Sequence, residues 1–285
     1  MMQSCASRSF VCAYDDSNKQ NIIGEIEVLN DRGNFKIMFD RVSLIQIVIK
    51  KIEAKVYLEI GVFNGYSFLK TICKNKIGID PCFKIKKIKK IYSYFTNITN
   101  INNKYFTMTS DEFFKNYKNI LISYPPEVIF IDGLHRFEQT LQDCYNSLNY
   151  LADGGVIILH DCSPPSEASA TPALSVLEAE QIWKTHHDEG WTIEWCGDSW
   201  KTIPFLIKNN PELNVSVLNI DYGLGIISKK KGNRKGIYQI PDDIHEYKTL
   251  CYSYLETDRK NILNLKDLEE LNTVINSHLI NKLND

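Results

Sequence analysis

The sequence predicts an α/β fold, a doubly wound and mostly parallel sheet of seven strands with an antiparallel last strand. Three observations carry this. Short apolar runs recur at 56–60, 76–79, 105–108, 127–131 and 155–160 with helical patterns between them, the rhythm of parallel strands joined by crossover helices. The first run, Val56 to Ile60, passes through a glycine-bounded turn into a helical pattern, as a buried strand does at a nucleotide-type site. The last two runs, 214–219 and 223–228, are separated closely around Asp221-Tyr222. So short a connection forbids a parallel crossover and demands a hairpin.

Residues 1–42 read as an N-terminal extension. Residues 1–20 are polar and have the character of a poorly ordered terminus, and Gly24 to Phe39 alternates weakly around Asp31-Arg32-Gly33, which predicts a small hairpin. Residues 43–235 form the main domain. Ser43 to Ala54 is helical in pattern and leads into the first strand. Phe137, Leu141, Cys144, Leu148 and Leu151 make one apolar stripe, so this segment is a core-facing helix. The basic run Lys84 to Lys90 carries Ile85 and Ile88, with Ile91 beyond, at helical spacing, which favours a solvated helix face over a polyanion site. The Asn/Ile/Lys-rich stretch from Tyr92 to Lys104 reads as a surface loop.

An insertion spans 163–203. Ser163-Pro164-Pro165 stops the preceding strand, and Trp191, Trp195 and Trp200 gather three of the chain's four tryptophans. Aromatic faces beside carboxylates suit a carbohydrate or another ring substrate, and core packing explains them equally well. Residues 236–285 read as a C-terminal extension of polar helices without identifiable chemistry.

The chain has 285 residues, 44% hydrophobic and 24% charged, with a formal net charge of -2, so it has no general attraction to nucleic acid. Its eight cysteines form no CxxC pair or zinc-like spacing. With no export signal at Met1 to Phe10 and no long apolar span, the expectation is a cytoplasmic protein without a membrane span.

The chemistry starts at Glu59-Ile60-Gly61-Val62-Phe63-Asn64-Gly65. Gly61 allows a tight turn off the strand, and Gly65 lets the helix start pack closely. Phe63 replaces the glycine that would admit a pyrophosphate, and Glu59 would repel one, so the turn suits an amine-bearing nucleoside rather than NAD or FAD. Asp80 closes the next apolar run about 20 residues on, where a ribose-binding carboxylate is expected. Two further strands end in Asp132-Gly133-Leu134-His135 and His160-Asp161-Cys162. All these groups fall at the carboxyl edge of the sheet, where open α/β sheets bind ligands. Two histidines and two carboxylates there can make a general base and a divalent-metal site; capping of the next helix is the competing role for His160 and Asp161.

The ordered set LEIGVFNGYS, GIDP, Thr109-Ser110-Asp111-Glu112, VIFIDGLH and LADGGVIILHDC resembles the Rossmann-like class I S-adenosylmethionine-dependent methyltransferases. Within these it is similar to the sugar and macrolide O-methyltransferases, over roughly 45–230. The resemblance implies that the turn holding Glu59, Gly61, Gly65 and Ser67 binds the methionine part of S-adenosyl-L-methionine, Asp80 the ribose and Ser110-Asp111 the adenine edge. It also implies Asp132 and Asp161 as ligands of a Mg²⁺-type site, Asp132 touching both cofactor and metal, and His135 as the base. His160 stands where the macrolide enzymes have a glutamate, and a hard Mg²⁺ prefers oxygen. Mg²⁺, a softer Mn²⁺ with His160 as third ligand, and no metal all stay open.

The implied function is O-methylation of a sugar hydroxyl in a glycan precursor or a related small molecule. The rivals are a cofactor-binding protein without catalysis and an oxidoreductase on the same fold. Acceptor and homo-oligomeric state are not legible in the residues.

Overall fold

A computed structural model describes residues 10–15, 20–28, 35–187, 189–231, 236–241 and 243–279. An N-terminal antiparallel sheet holds β1 (Phe10–Asp15), β2 (Gln20–Val28) and β3 (Phe35–Met38), with Phe10 opposite Glu25 and Glu25 opposite Met38. β2 and β3 pair within the segment read as a hairpin, and its Asp31-Arg32-Gly33 turn lies outside the described residues. β1 falls inside residues 1–20, where no regular structure was expected; residues 1–9 and 16–19 lie outside the described residues.

The main sheet has eight strands. They are β4 (Val56–Ile60), β5 (Asn75–Ile79), β6 (Lys104–Phe106), β7 (Val128–Ile131), β8 (Val156–Leu159), β9 (Leu213–Leu218), β10 (Leu224–Lys229) and β11 (Leu265–Lys266). Their order is β11-β9-β10-β8-β7-β4-β5-β6. The strands from β4 to β8 pair in parallel, and β10 runs antiparallel to both β8 and β9. The antiparallel strand thus lies inside the sheet, wedged between β8 and β9. The eighth strand was not expected. β11 has two residues, too few to leave a periodic pattern, and it pairs in parallel with β9.

Strand residues alternate between two cores, as they must in a sheet covered on both faces. Leu58, Ile129 and Ile157 join the core beneath α6 (Phe137–Tyr150), whose stripe Phe137, Leu141, Cys144, Leu148 and Leu151 is buried. Tyr57, Phe130 and Ile158 face the other way, toward α1 (Arg41–Lys51). The remaining helices are α2 (Tyr66–Lys70), α3 (Lys87–Thr96), α4 (Ser110–Asn116), α5 (Lys118–Ser123), α7 (Val176–His186), α8 (Thr202–Asn209), α9 (His245–Lys248), α10 (Tyr252–Thr257), α11 (Arg259–Ile262) and α12 (Leu271–Leu279). Val274, Ile275 and Leu279 of α12 are buried in the second core, so the C-terminal segment contributes to packing as well as a strand.

Two local expectations are corrected. Tyr92 to Lys104 is not a loop: it completes α3, forms a 3-10 turn at Ile98–Asn102 and enters β6. The Asn97 side chain accepts from Thr99 N and starts that turn, a capping role that an asparagine-rich composition conceals. The basic run is only partly helical, since α3 begins at Lys87 and leaves Ile85 before it, and the exposed Ile88 and Ile91 agree with the solvated face expected there.

Candidate active site

The strand order reverses between β4 and β7, and the crevice at their carboxyl ends opens into a cavity of about 840 Å³. β4 hands over to α2 through Gly61, at φ +85°, where a Cβ would lie 1.9 Å from the Asp132 carbonyl oxygen. Only glycine lets these two strand ends pass so closely. Gly61, Phe63, Asp80, Ser110 and Asp111 line the cavity. Both Asp80 oxygens are engaged: Phe63 N donates to Oδ2 at 2.7 Å and Cys82 N to Oδ1 at 2.6 Å. Each carboxylate oxygen keeps a further lone pair for a ligand hydroxyl. Ser110 and Asp111 open α4, whose N-cap Thr109 and Glu112 form a capping box.

Three sequence-predicted cofactor residues do not line this cavity. Glu59 is fully buried, where its Oε2 accepts from Tyr57 Oη at 2.5 Å and its Oε1 from Ser67 Oγ at 2.7 Å. Burial, opposed by these two bonds, pushes its carboxyl up to about 8. Glu59 and Ser67 therefore act on one another beneath the turn, and the turn's backbone meets the cavity instead. Gly65 begins α2 at φ +71°, packed near Ile85 and Leu69.

A charged cluster adjoins these residues. Asp132 follows β7, His160 and Asp161 follow β8, and Asp221 precedes β10, whose reversed direction brings its start to the same edge. His135 Nε2 lies 3.3 Å from Asp132 Oδ1, and its Nδ1 lies 3.2 Å from Asp161 Oδ2 and 3.2 Å from the Trp195 carbonyl. Burial alone would lower the imidazole, but the Asp161 charge and the Asp132 bond outweigh it and raise its pKa. Asp132 is held well below the ordinary carboxylate range, because His160, His135 and Arg41 together overcome its burial.

Asp132, His135 and Asp161 each offer a ligand atom within 4.8 Å of the others. This trio differs from the expected Asp132, Asp161 and His160. Buried His160 has Nδ1 at 3.0 Å from Asp161 Oδ1 and 3.4 Å from Asp132 Oδ1, with Nε2 at 3.5 Å from Asp221 Oδ1. Against its burial, these carboxylates raise its pKa well above the usual range. His160 therefore sits within the same charged cluster, facing three carboxylates.

Sequence reasoning missed several contributors. Arg41 was assigned to the N-terminal extension, but it is the first residue of α1 and lines the cavity. It donates from Nη1 to Asp132 Oδ2 at 2.8 Å, from Nε to Asp221 Oδ2 at 2.8 Å and from Nη2 to Asp221 Oδ1 at 3.0 Å. Asp143 of α6 also lines the cavity, its carboxyl pushed up to about 7 by burial. The tryptophans of the insertion divide: Trp195 stacks on His135 with centroids 4.9 Å apart, whereas Trp200 is buried in the core. A segment around Asp198 fixes that stack, since Asp198 N donates to the His135 carbonyl at 3.1 Å and Phe137 N donates to Asp198 Oδ1 at 2.8 Å. Phe63, His135, Asp161 and Tyr222 on the cavity wall, and Asp221 beside it, have positive φ. Such strain gathers where a site over-determines the backbone.

Residues 58–162 match the family model described as a methyltransferase domain. The β4-to-β8 crevice and the Asp132 and Asp161 loops all fall within or at the end of this domain. The sequence matches no curated protein. Among solved structures, the chain is similar to an O-methyltransferase from Bacillus cereus in complex with SAH, at 16% identity, covering 66% of this chain and 78% of that one, with a TM-score of 0.41. It is likewise similar to TomG from Streptomyces achromogenes, an O-methyltransferase involved in tomaymycin synthesis and in complex with SAM, at 11% identity, 67% and 79% coverage and a TM-score of 0.44. A third is the SAH-bound methyltransferase PaMTH1 from Podospora anserina, at 15% identity, 67% and 78% coverage and a TM-score of 0.42. Among the described residues, no helix is long and apolar enough to cross a membrane.

Proposed function

We propose that the methyltransferase domain transfers a methyl group from S-adenosyl-L-methionine to a hydroxyl of a sugar or a related small ring compound. The observation that carries this reading is one cavity lined both by a glycine turn with Asp80, Ser110 and Asp111 and by the Asp132–His135–Asp161 cluster. When bound, S-adenosyl-L-methionine supplies an electrophilic methyl on a sulfonium. Asp80 would hold the ribose and the backbone of the Gly61 turn the amino-acid part. Ser110 and Asp111 would flank the adenine.

The acceptor end combines Trp195, Tyr222 and Glu194, whose carboxylate accepts from Tyr222 Oη at 2.9 Å. An aromatic face beside hydrogen-bonding groups suits a ring bearing hydroxyls. Deprotonated His135 would take the hydroxyl proton while that oxygen attacks the methyl carbon and the carbon–sulfur bond breaks.

The donor set also fits a divalent cation, with Asp132, Asp161 and His135 as ligands; its oxygen and nitrogen atoms suit Mn²⁺ as well as Mg²⁺. In that arrangement the His135 lone pair is engaged, so ligand and base are exclusive roles. Calorimetric titration tests the core of the reading: S-adenosyl-L-methionine or its demethylated product binds and NAD does not. Binding of NAD in its place would sink it in favour of an oxidoreductase.

A further inference from the structure

α3 packs with its polar face inward. Ser93 and Asn97 are buried, as is Asn100 in the turn that follows. Asn97 Nδ2 donates to the Thr71 carbonyl at 2.8 Å, and Asn100 Nδ2 to the Leu69 carbonyl at 2.9 Å, satisfying the last carbonyls of α2. Buried Lys76 adds to this network through Nζ, which donates to the Phe68 and Thr71 carbonyls at 2.7 Å each. Lys89 and Lys90 also turn inward, to the Asn64 carbonyl and over the Tyr105 ring.

The consequence is an apolar stripe on the outside. Ile88, Ile91, Tyr92 and Phe95 recur at the i, i+3, i+4, i+7 spacing of a buried helix face, yet they are 77%, 56%, 67% and 85% exposed. Ile98 and Ile101 extend the stripe at 70% and 62% exposure. Contiguous exposed apolar surface of this kind marks an interaction site. Its charge is one-sided: Pro81 to Thr109 contains six lysines and neither Asp, Glu nor Arg, in a chain whose net charge is -2. Lys84, Lys86 and Lys87 are exposed beside the stripe.

We propose that α3 and its following turn seat this protein on an anionic lipid surface. The isoleucines, Tyr92 and Phe95 would enter the boundary between headgroups and acyl chains, and the exposed lysines would meet the anionic headgroups. A second copy of the chain is a poorer occupant, since a two-fold contact through this patch sets lysine against lysine. A nucleic acid is poorer too, because four of the six exposed apolar residues are isoleucines, with no ring to stack on a base. The lipid surface would lie beside the cavity rim: Lys84 N donates to the Phe63 carbonyl at 2.8 Å, and Phe63 lines the cavity. The inference is independent of the identity of the methyl acceptor.

Co-sedimentation with vesicles tests it. The protein is expected to pellet with phosphatidylcholine vesicles containing phosphatidylglycerol, much less with phosphatidylcholine alone, and more weakly as salt rises. Ile91→Asp with Phe95→Asp, and separately Lys84→Glu with Lys86→Glu and Lys87→Glu, should each lower vesicle affinity about tenfold or more. Because these side chains face outward, melting temperature and S-adenosyl-L-methionine affinity should not change. The proposal is overturned if anionic vesicles are not bound or if both variants bind like wild type. It is equally overturned by a solution dimer that Phe95→Asp dissociates, or by a single-stranded oligonucleotide bound in preference to vesicles.

Discussion

Arg41 and Asp132 stand 91 positions apart in the chain, and the guanidinium Nη1 donates to the Asp132 carboxylate at 2.8 Å while its other nitrogens hold Asp221. One arginine thereby joins the start of α1 to the loops after β7 and before β10. Its planar fork satisfies two carboxylates at fixed angles, which a lysine cannot do.

Arg41→Lys should therefore keep the charge and lose the geometry. We expect kcat to fall by roughly 10- to 100-fold with little change in S-adenosyl-L-methionine affinity, because Asp132 shifts relative to His135. Arg41→Ala should also destabilise the fold by about 3 kcal/mol, leaving two half-buried carboxylates short of a partner. Urea melts and steady-state kinetics check both; an Arg41→Lys variant with wild-type kcat would leave Arg41 a purely structural clamp.

Asp80→Ala should weaken S-adenosyl-L-methionine by an order of magnitude or more, as charged hydrogen bonds to the ribose are lost. The substitution also frees Phe63 N and Cys82 N, so the isosteric Asp80→Asn is the sharper probe. Asp80→Asn retains an acceptor for one amide and should weaken binding less. Wild-type affinity in both variants would remove the ribose assignment.

The role of His135 divides on chelation. If the Asp132–His135–Asp161 trio holds a divalent ion, EDTA abolishes turnover and Mn²⁺ or Mg²⁺ restores it. If EDTA leaves turnover intact, His135 is the base, and His135→Ala should lower kcat by roughly 10²–10⁴. A base works only when unprotonated, and its neighbours raise the His135 pKa. The rising limb of kcat against pH should then lie on the alkaline side of about 6.5. Asp161→Asn, which removes one of the charges responsible, should move that limb to lower pH. An unmoved limb would place the base elsewhere.

His278 supplies a pH-dependent stability prediction away from the site. The imidazole of α12 is buried between Ser216 Oγ and Ser228 Oγ, at 2.9 Å each, and burial lowers its pKa to about 4. Its unfolded value is about 6.5, so between the two the unfolded chain binds the extra proton. The neutral histidine's contribution is fully present above pH about 6.5 and is lost as the pH falls toward 4, on the order of 3 kcal/mol in all. In His278→Gln this part of the acid loss should vanish from urea melts taken across that range. An identical acid profile would show that His278 does not titrate on unfolding.

Legibility followed distance along the chain. Glu59, Gly61 and Asp80 announced a turn site because each adjoins an apolar run, and the Asp221-Tyr222 link required a hairpin because no crossover fits two residues. These are local constraints of backbone length and side-chain period, and a single sequence displays them directly. The role of Glu59 was less legible. Its position before the turn was right, but side-chain direction alternates along a strand, and this carboxylate points down to Tyr57 and Ser67.

By itself the sequence determined the alternation of strands and helices, the antiparallel closing strand, the glycine turn and the edge at which the acidic and imidazole groups emerge. Tertiary structure alone decided how those groups combine. It set His135 beside Asp132 and Asp161, brought Arg41 and Asp221 to Asp132, stacked Trp195 rather than Trp200 on His135, and turned the apolar face of α3 outward. Each outcome depends on which residues meet across the sheet edge and which carbonyls of α2 need a donor. Such contacts join positions tens of residues apart, where neither helical nor strand periodicity carries information.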